Sequence, residues 1–157
     1  MHIQVSVGTG EGPTALAAFD AALSSAGMAD YNLLFLSSVI PPHSVIEKSR
    51  FVPPPDDYGH RLYVVLARQQ EERVGKSAWA GLGWAQDPSD GRGLFVELTG
   101  ENRERVQEDI EATLASMVAR RGCAYGPVKS ELAGVACHGR PVCALVIAAY
   151  ESQGWGA

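Results

Sequence analysis

Apolar and polar positions alternate at the start of the chain. Ile3, Val5 and Val7 share one face of residues 2–7, the period-two pattern of a strand. Gly8-Thr9-Gly10-Glu11-Gly12-Pro13 then reads as a loop. Thr14 suits an N-cap, and the Ala- and Leu-rich run Ala15–Ala26 before Gly27 predicts a helix. Residues 31–36 form an apolar run of strand length. Pro41-Pro42 must break regular structure, because proline has no N–H to donate and restricts the residue before it. Residues 51–58 hold three prolines and two aspartates and predict a loop. Strands are expected at 61–69, 77–86, 93–99, 131–138 and 142–149, although the alanines of 77–86 would also suit a helix. In residues 102–121, Val106, Ile110, Leu114 and Met117 form one apolar stripe at helical spacing. Gly122 closes that helix, and Arg120 and Arg121 sit in its last turn, where the helix dipole favours cations.

About six strands and two helices, few in strict strand–helix–strand alternation, predict an α+β fold with a largely antiparallel sheet and helices on its outer faces. No repeat, low-complexity tract or linker divides the 157 residues, so one domain is expected. A net charge of −5 with scattered Lys and Arg argues against a nucleic-acid partner. No apolar run reaches the roughly 18 residues that span a membrane, so no membrane partner is expected. The start of the chain lacks the pattern of a secretion signal. Cys123, Cys137 and Cys143 have neither disulfide-framework nor zinc-site spacing, so no metal is expected and the setting reads as reducing and cytoplasmic.

Single residues say little about chemistry. The glycine-rich stretch before the first helix lies where phosphate loops lie, yet it lacks the Lys-Ser/Thr of a P-loop, and Glu11 would repel an anion. His2, His43, His60 and His138 have no ligand spacing. Asp20 is a lone carboxylate in an otherwise small and apolar helix: either it faces solvent, or it waits for a cation. Glu97 interrupts an apolar strand: either it points to water, or it points inward as a candidate proton donor. Ser37 and Ser38 close a strand before Pro41-Pro42, which by composition is simply a strand end. A serine hydroxyl pressed against the preceding carbonyl can attack it, given strain and an oxyanion stabiliser.

Together these segments resemble one family. VSVGTGEGPTALAAFDAALSSAG, DYNLLFLSSVIPP, GLFVEL and PVCALVIAAY, at compatible spacings across residues 3–150, are similar to the pyruvoyl-dependent arginine decarboxylases. NLLFLSSVIPP is the most specific block, and residues 51–90 match more loosely. The resemblance implies an αββα sandwich assembled as a homotrimer, with sites between neighbours. It implies self-cleavage between Ser37 and Ser38 into a β chain, 1–37, and an α chain, 38–157. The Ser38 hydroxyl attacks the Ser37 carbonyl, the ester eliminates to dehydroalanine, and hydrolysis with loss of ammonia leaves a pyruvoyl group at position 38. That covalent cofactor would form a Schiff base with L-arginine and accept the electrons freed as CO₂ leaves, giving agmatine.

By the same resemblance, Glu97 donates the proton to the substrate carbon and Asp20 holds the guanidinium. Asn32 stands beside the cleavage site, and Ala29, Tyr31 and Val39 line the pocket. Asp30-Tyr31 and the proline-rich 51–58 loop depart from the family pattern. They motivate two alternatives: a scaffold that no longer cleaves itself and serves as a binding or structural trimer, and a pyruvoyl enzyme for another amino acid. A serine hydrolase lacks both a GxSxG elbow and placed His–Asp partners.

Overall fold

In a computed structural model describing residues 1–156, the first strand, β1 (His2–Glu11), runs on through the stretch expected to be a loop. The glycines serve close packing there rather than a turn. Helix α1 (Ala15–Ala26) crosses so near that a Cβ on Gly8 would lie 2.0 Å from the Ala22 carbonyl oxygen, and one on Gly10 would lie 2.4 Å from the Ala22 nitrogen. The helix ends where its residues dictate. The Thr14 hydroxyl accepts from the Ala17 N–H, and Gly27 closes the last turn at φ 87°.

The strands that follow are β2 (Asn32–Phe35), β3 (Val39–Ile40), β4 (Val45–Lys48), β5 (Arg61–Glu71), β6 (Ser77–Gln86) and β7 (Gly93–Gly100). After α2 (Arg103–Arg121) come β8 (Lys129–Ala136) and β9 (Val142–Gln153). β3 and β4 are absent from the alternation pattern because each is too short to show a period. The 51–58 segment is a loop with one 3-10 turn, Pro55–Asp57. Neither helix is long and apolar enough to cross a membrane.

Two sheets result, in the orders β2-β5-β9-β1-β4 and β3-β7-β6-β8. Pairing is antiparallel except for β1 with β4 and β2 with β5, so the α+β expectation holds. Period-two alternation sends alternate residues of each sheet to opposite faces. Ile3, Val65, Val146, Leu82 and Phe95 meet between the sheets. Leu62, Leu145 and Ile147 pack under α1 with Ala18, Ala22 and Leu23. Leu94 and Val96 pack under α2 with Val106, Ile110 and Leu114, the stripe read from the sequence. The layers are therefore helix, sheet, sheet, helix.

β2 and β3 are edge strands of different sheets, and residues 36–38 join them across the sandwich. β1 lies inside its sheet, between β9 and β4. Gly8→Ala is expected to destabilise the protein by about 2–3 kcal/mol through overpacking against helix backbone. Calorimetry would read this as a melting temperature lower by roughly 5–10 °C.

Candidate active site

Ser38, the residue before β3, takes a conformation that few side chains adopt. Its φ is 75°, a left-handed value that costs a non-glycine residue about 1–3 kcal/mol. Two contacts hold it there. The Phe95 N–H donates to the Ser38 carbonyl at 2.8 Å, and the Ser38 hydroxyl donates to the Glu97 carboxylate in a short hydrogen bond. Phe95 and Glu97 both come from β7, two residues apart and hence on one face. Ser38 itself is only 8% exposed.

Glu97 does not point into the core. Phe95 is buried between the sheets, and Glu97, at the next position on that face, is exposed in the single chain. It is exposed yet lies on the face that Phe95 turns to the other sheet, and its carboxylate reaches the hydroxyl of Ser38, a contact the sequence could not supply. Val39 is exposed, and its carbonyl accepts from the Tyr150 hydroxyl at 3.1 Å. Tyr150 packs on Phe95, with ring centroids 6.2 Å apart. Burial and the nearby Glu97 charge raise the Tyr150 phenol well above the usual tyrosine range. Sequence reasoning missed both Phe95 and Tyr150. The only signal was an aromatic residue ending the run ALVIAA, where the strand was expected to stop at Ala149.

The other expected site residues lie elsewhere in the chain. Asp20 is exposed on α1 and makes no ion pair among the described residues. α1 covers the outer face of the first sheet, so that sheet separates it from the core between the sheets, where Phe95 packs. Asn32 starts β2, and its side chain bonds elsewhere. Its amide nitrogen donates to the Gly59 carbonyl at 2.8 Å, an acceptor shared with the Trp155 indole N–H, also at 2.8 Å. The paired segment running from Asn32 to Leu36 covers about 13 Å at the usual strand rise, with Ser38 beyond it. Ala29 and Tyr31 pack with the core beneath α1. One chain thus brings together Ser38, Glu97 and Val39, and leaves Asp20, Asn32, Ala29 and Tyr31 apart from them.

Tyr31 anchors the proline-rich loop. Its hydroxyl donates to Asp57 at 2.8 Å, Ser152 donates to the same carboxylate oxygen at 2.7 Å, and the ring meets Phe51 edge-on at 5.8 Å. These hydroxyl donors hold the Asp57 carboxyl below its ordinary range.

Two comparisons, with a family model and with named relatives, bear on what such an arrangement belongs to. The model of the family described as pyruvoyl-dependent arginine decarboxylase matches residues 2–153. A protein of that name from Halobacterium salinarum is 37% identical over 152 residues, covering 95% of this chain and 93% of its own. One from Thermococcus kodakarensis is 31% identical over 145 residues, covering 91% and 90%. Among solved structures, a pyruvoyl-dependent histidine decarboxylase aligns at a TM-score of 0.47 and 17% identity, over 66% of this chain and 55% of its own.

Burial and the Asp57 carboxylate raise the Tyr31 phenol far above its usual value. A phenol held neutral by the fold contributes stability that is fully present below about pH 10 and is lost as pH rises through its folded pKa. Absorbance titration near 295 nm is expected to show Tyr31 ionising late in wild type. Tyr31→Phe is expected to remove one late-ionising phenol and to flatten the loss of stability above about pH 10.

Proposed function

The chain belongs to the family of pyruvoyl-dependent arginine decarboxylases, and on that premise we propose that it cuts itself between Ser37 and Ser38 and decarboxylates L-arginine to agmatine. The observation that carries this reading is the left-handed, nearly buried Ser38 whose hydroxyl donates to Glu97.

That contact suits the first step. Glu97 takes the hydroxyl proton as Ser38 Oγ bonds to the Ser37 carbonyl carbon and passes it to the Ser38 nitrogen as the Ser37–Ser38 C–N bond breaks, leaving an ester and a free amine. Relief of the left-handed strain at Ser38 lowers the cost of leaving the amide. Loss of the Ser38 α-proton expels the Ser37 carboxylate. Water then replaces nitrogen at the former α-carbon and ammonia departs. The location of the bond fits a cut without collapse. It lies on the link between two edge strands, and fragment 1–37 keeps β1 threaded between β4 and β9 of the other fragment.

The residues around Ser38 also fit the group it would become. The Phe95 N–H already holds the carbonyl that would be the pyruvoyl amide carbonyl, and Glu97 stands at the side-chain position. The pyruvoyl group supplies an electrophilic carbonyl that takes up the electron pair released with CO₂. Glu97, beside that group, would supply the proton to the substrate carbon.

Recognition of the guanidinium falls to Asp20, whose exposed carboxylate suits a planar, multi-donor cation. A neighbouring copy brings Asp20 and Asn32, with Ala29 and Tyr31 behind them, to the Ser38 of the next chain in a homotrimer. This is supported by the separation of these residues within one chain and by the exposed Phe35 and Val39 that flank the serines.

Intact mass is the deciding measurement. Wild type is expected to give two chains, 1–37 and a 38–157 fragment lighter by one ammonia, that part only on denaturation. Native mass is expected at three times the 16.7 kDa chain. A single uncut chain with no carbonyl reactive toward phenylhydrazine would instead favour a binding or structural trimer. Ser38→Ala is expected to stay uncut, and Glu97→Gln to slow cleavage about 100-fold or more. Asp20→Asn, cleaved normally, is expected to raise KM for arginine about ten- to a hundredfold through the lost charge-assisted contact.

A further inference from the structure

We infer that Tyr150 is a positioning residue for the decarboxylation: bulged out of β9, it holds the Val39 carbonyl and so fixes the chain end that carries the reactive group beside Glu97. This rests on the reading that residue 38 becomes that group.

The first observation is the register. β5 and β9 pair residue for residue from Glu71–Val142 to Val64–Ala149, and the next pair is Tyr63–Glu151. Tyr150 is the extra residue, with no partner on β5. A bulge of this kind interrupts the ladder. Alternation along β9 puts Tyr150 on the inter-sheet face with Val146 and Ala148, where it packs with Phe95; the bulge leaves its backbone unpaired with β5, while Ala149 stays under α1 and Ser152 reaches Asp57.

The second observation is where the hydroxyl goes. It crosses from the first sheet to the second and donates to the carbonyl of Val39, the residue after Ser38. Phe95 carries both grips on this segment. Its N–H holds the Ser38 carbonyl at 2.8 Å, and its ring supports Tyr150. Burial and the Glu97 charge keep the phenol protonated, so it remains a donor.

The need for such a grip follows from the cut. Before it, Val39 is interior to the chain. After it, residue 38 is a terminus, and termini fray unless tied down. β3 offers little restraint, with two residues on one edge paired only to Leu94 and Gly93 of β7, and Pro41-Pro42 just beyond. A tie at Val39, one residue from the reactive carbonyl, limits that fraying where geometry matters most.

Tyr150→Phe keeps the ring and removes the donor. In cleaved protein, hydrogen exchange at the Val39 and Ile40 amides is expected to accelerate about three- to tenfold, the value of one lost hydrogen bond, with β5 and the rest of β9 unchanged. kcat is expected to fall by a similar factor while KM for arginine stays within about twofold. Unchanged exchange at Val39 and Ile40 in a cleaved, fully active variant overturns the role of Tyr150 alone. Faster exchange spread through β5 and β9 also overturns it, by making Tyr150 a general support. A wild type that never cleaves overturns instead the reading of residue 38.

Discussion

Everything at this site depends on the backbone of Ser38 being held left-handed by β7. Phe95 takes its carbonyl and Glu97 its hydroxyl, and each contact would be lost if Ser38 relaxed to an extended conformation. Residues 36–38 step from an edge of one sheet to an edge of the other, and packed sheets lie about 10 Å apart. The apolar layer between the sheets sets that spacing, so Ile3, Leu82, Phe95 and Val146 keep β7, and with it the two contacts on Ser38, in place.

The same topology makes a backbone cut tolerable. A break inside β5 or β9 would sever the longest ladder of the molecule. A break after Ser37 severs no ladder, because the segment pairs with β5 before it and with β7 after it. The smaller fragment keeps α1 and β1 locked together through the glycines of β1, and β1 bonded on both sides. What such a cut would remove is restraint on residue 38, and Tyr150 bonds the next residue, Val39.

Much of this was legible in the sequence, with limits that have physical causes. α1, α2 and the long strands β5 and β7 carry enough turns or alternations to declare themselves, while the alanines of β6 left helix open as well. β3 and β4 do not, having two and four residues. Gly8 and Gly10 read as a loop because glycine usually marks one, and only the approach of Ala22 shows that they serve packing within a strand. Glu97 was legible as an anomaly in an apolar strand, but not its contact with a serine 59 positions away. Tyr150 continues the alternation of β9, but its bond to Val39 across the sheets and the bulge that leaves it unpaired on β5 depend on other strands, and one strand's pattern carries no trace of them.

The division of labour among the candidate residues follows from the layers. The groups that would touch the reacting bond, Ser38 and Glu97, belong to one sheet edge of one chain and need a rigid geometry, which adjacent paired strands provide. The groups that would recognise the substrate, Asp20 and Asn32, sit on an exposed helix face and at the start of an edge strand. A long, flexible cation tolerates a partner brought from another molecule, because its guanidinium lies several bonds from the atom that reacts. A proton donor at Glu97 would have no such latitude. An assembly of copies can therefore supply recognition across an interface, while the chemistry stays within the chain whose folding strains the bond to be cut.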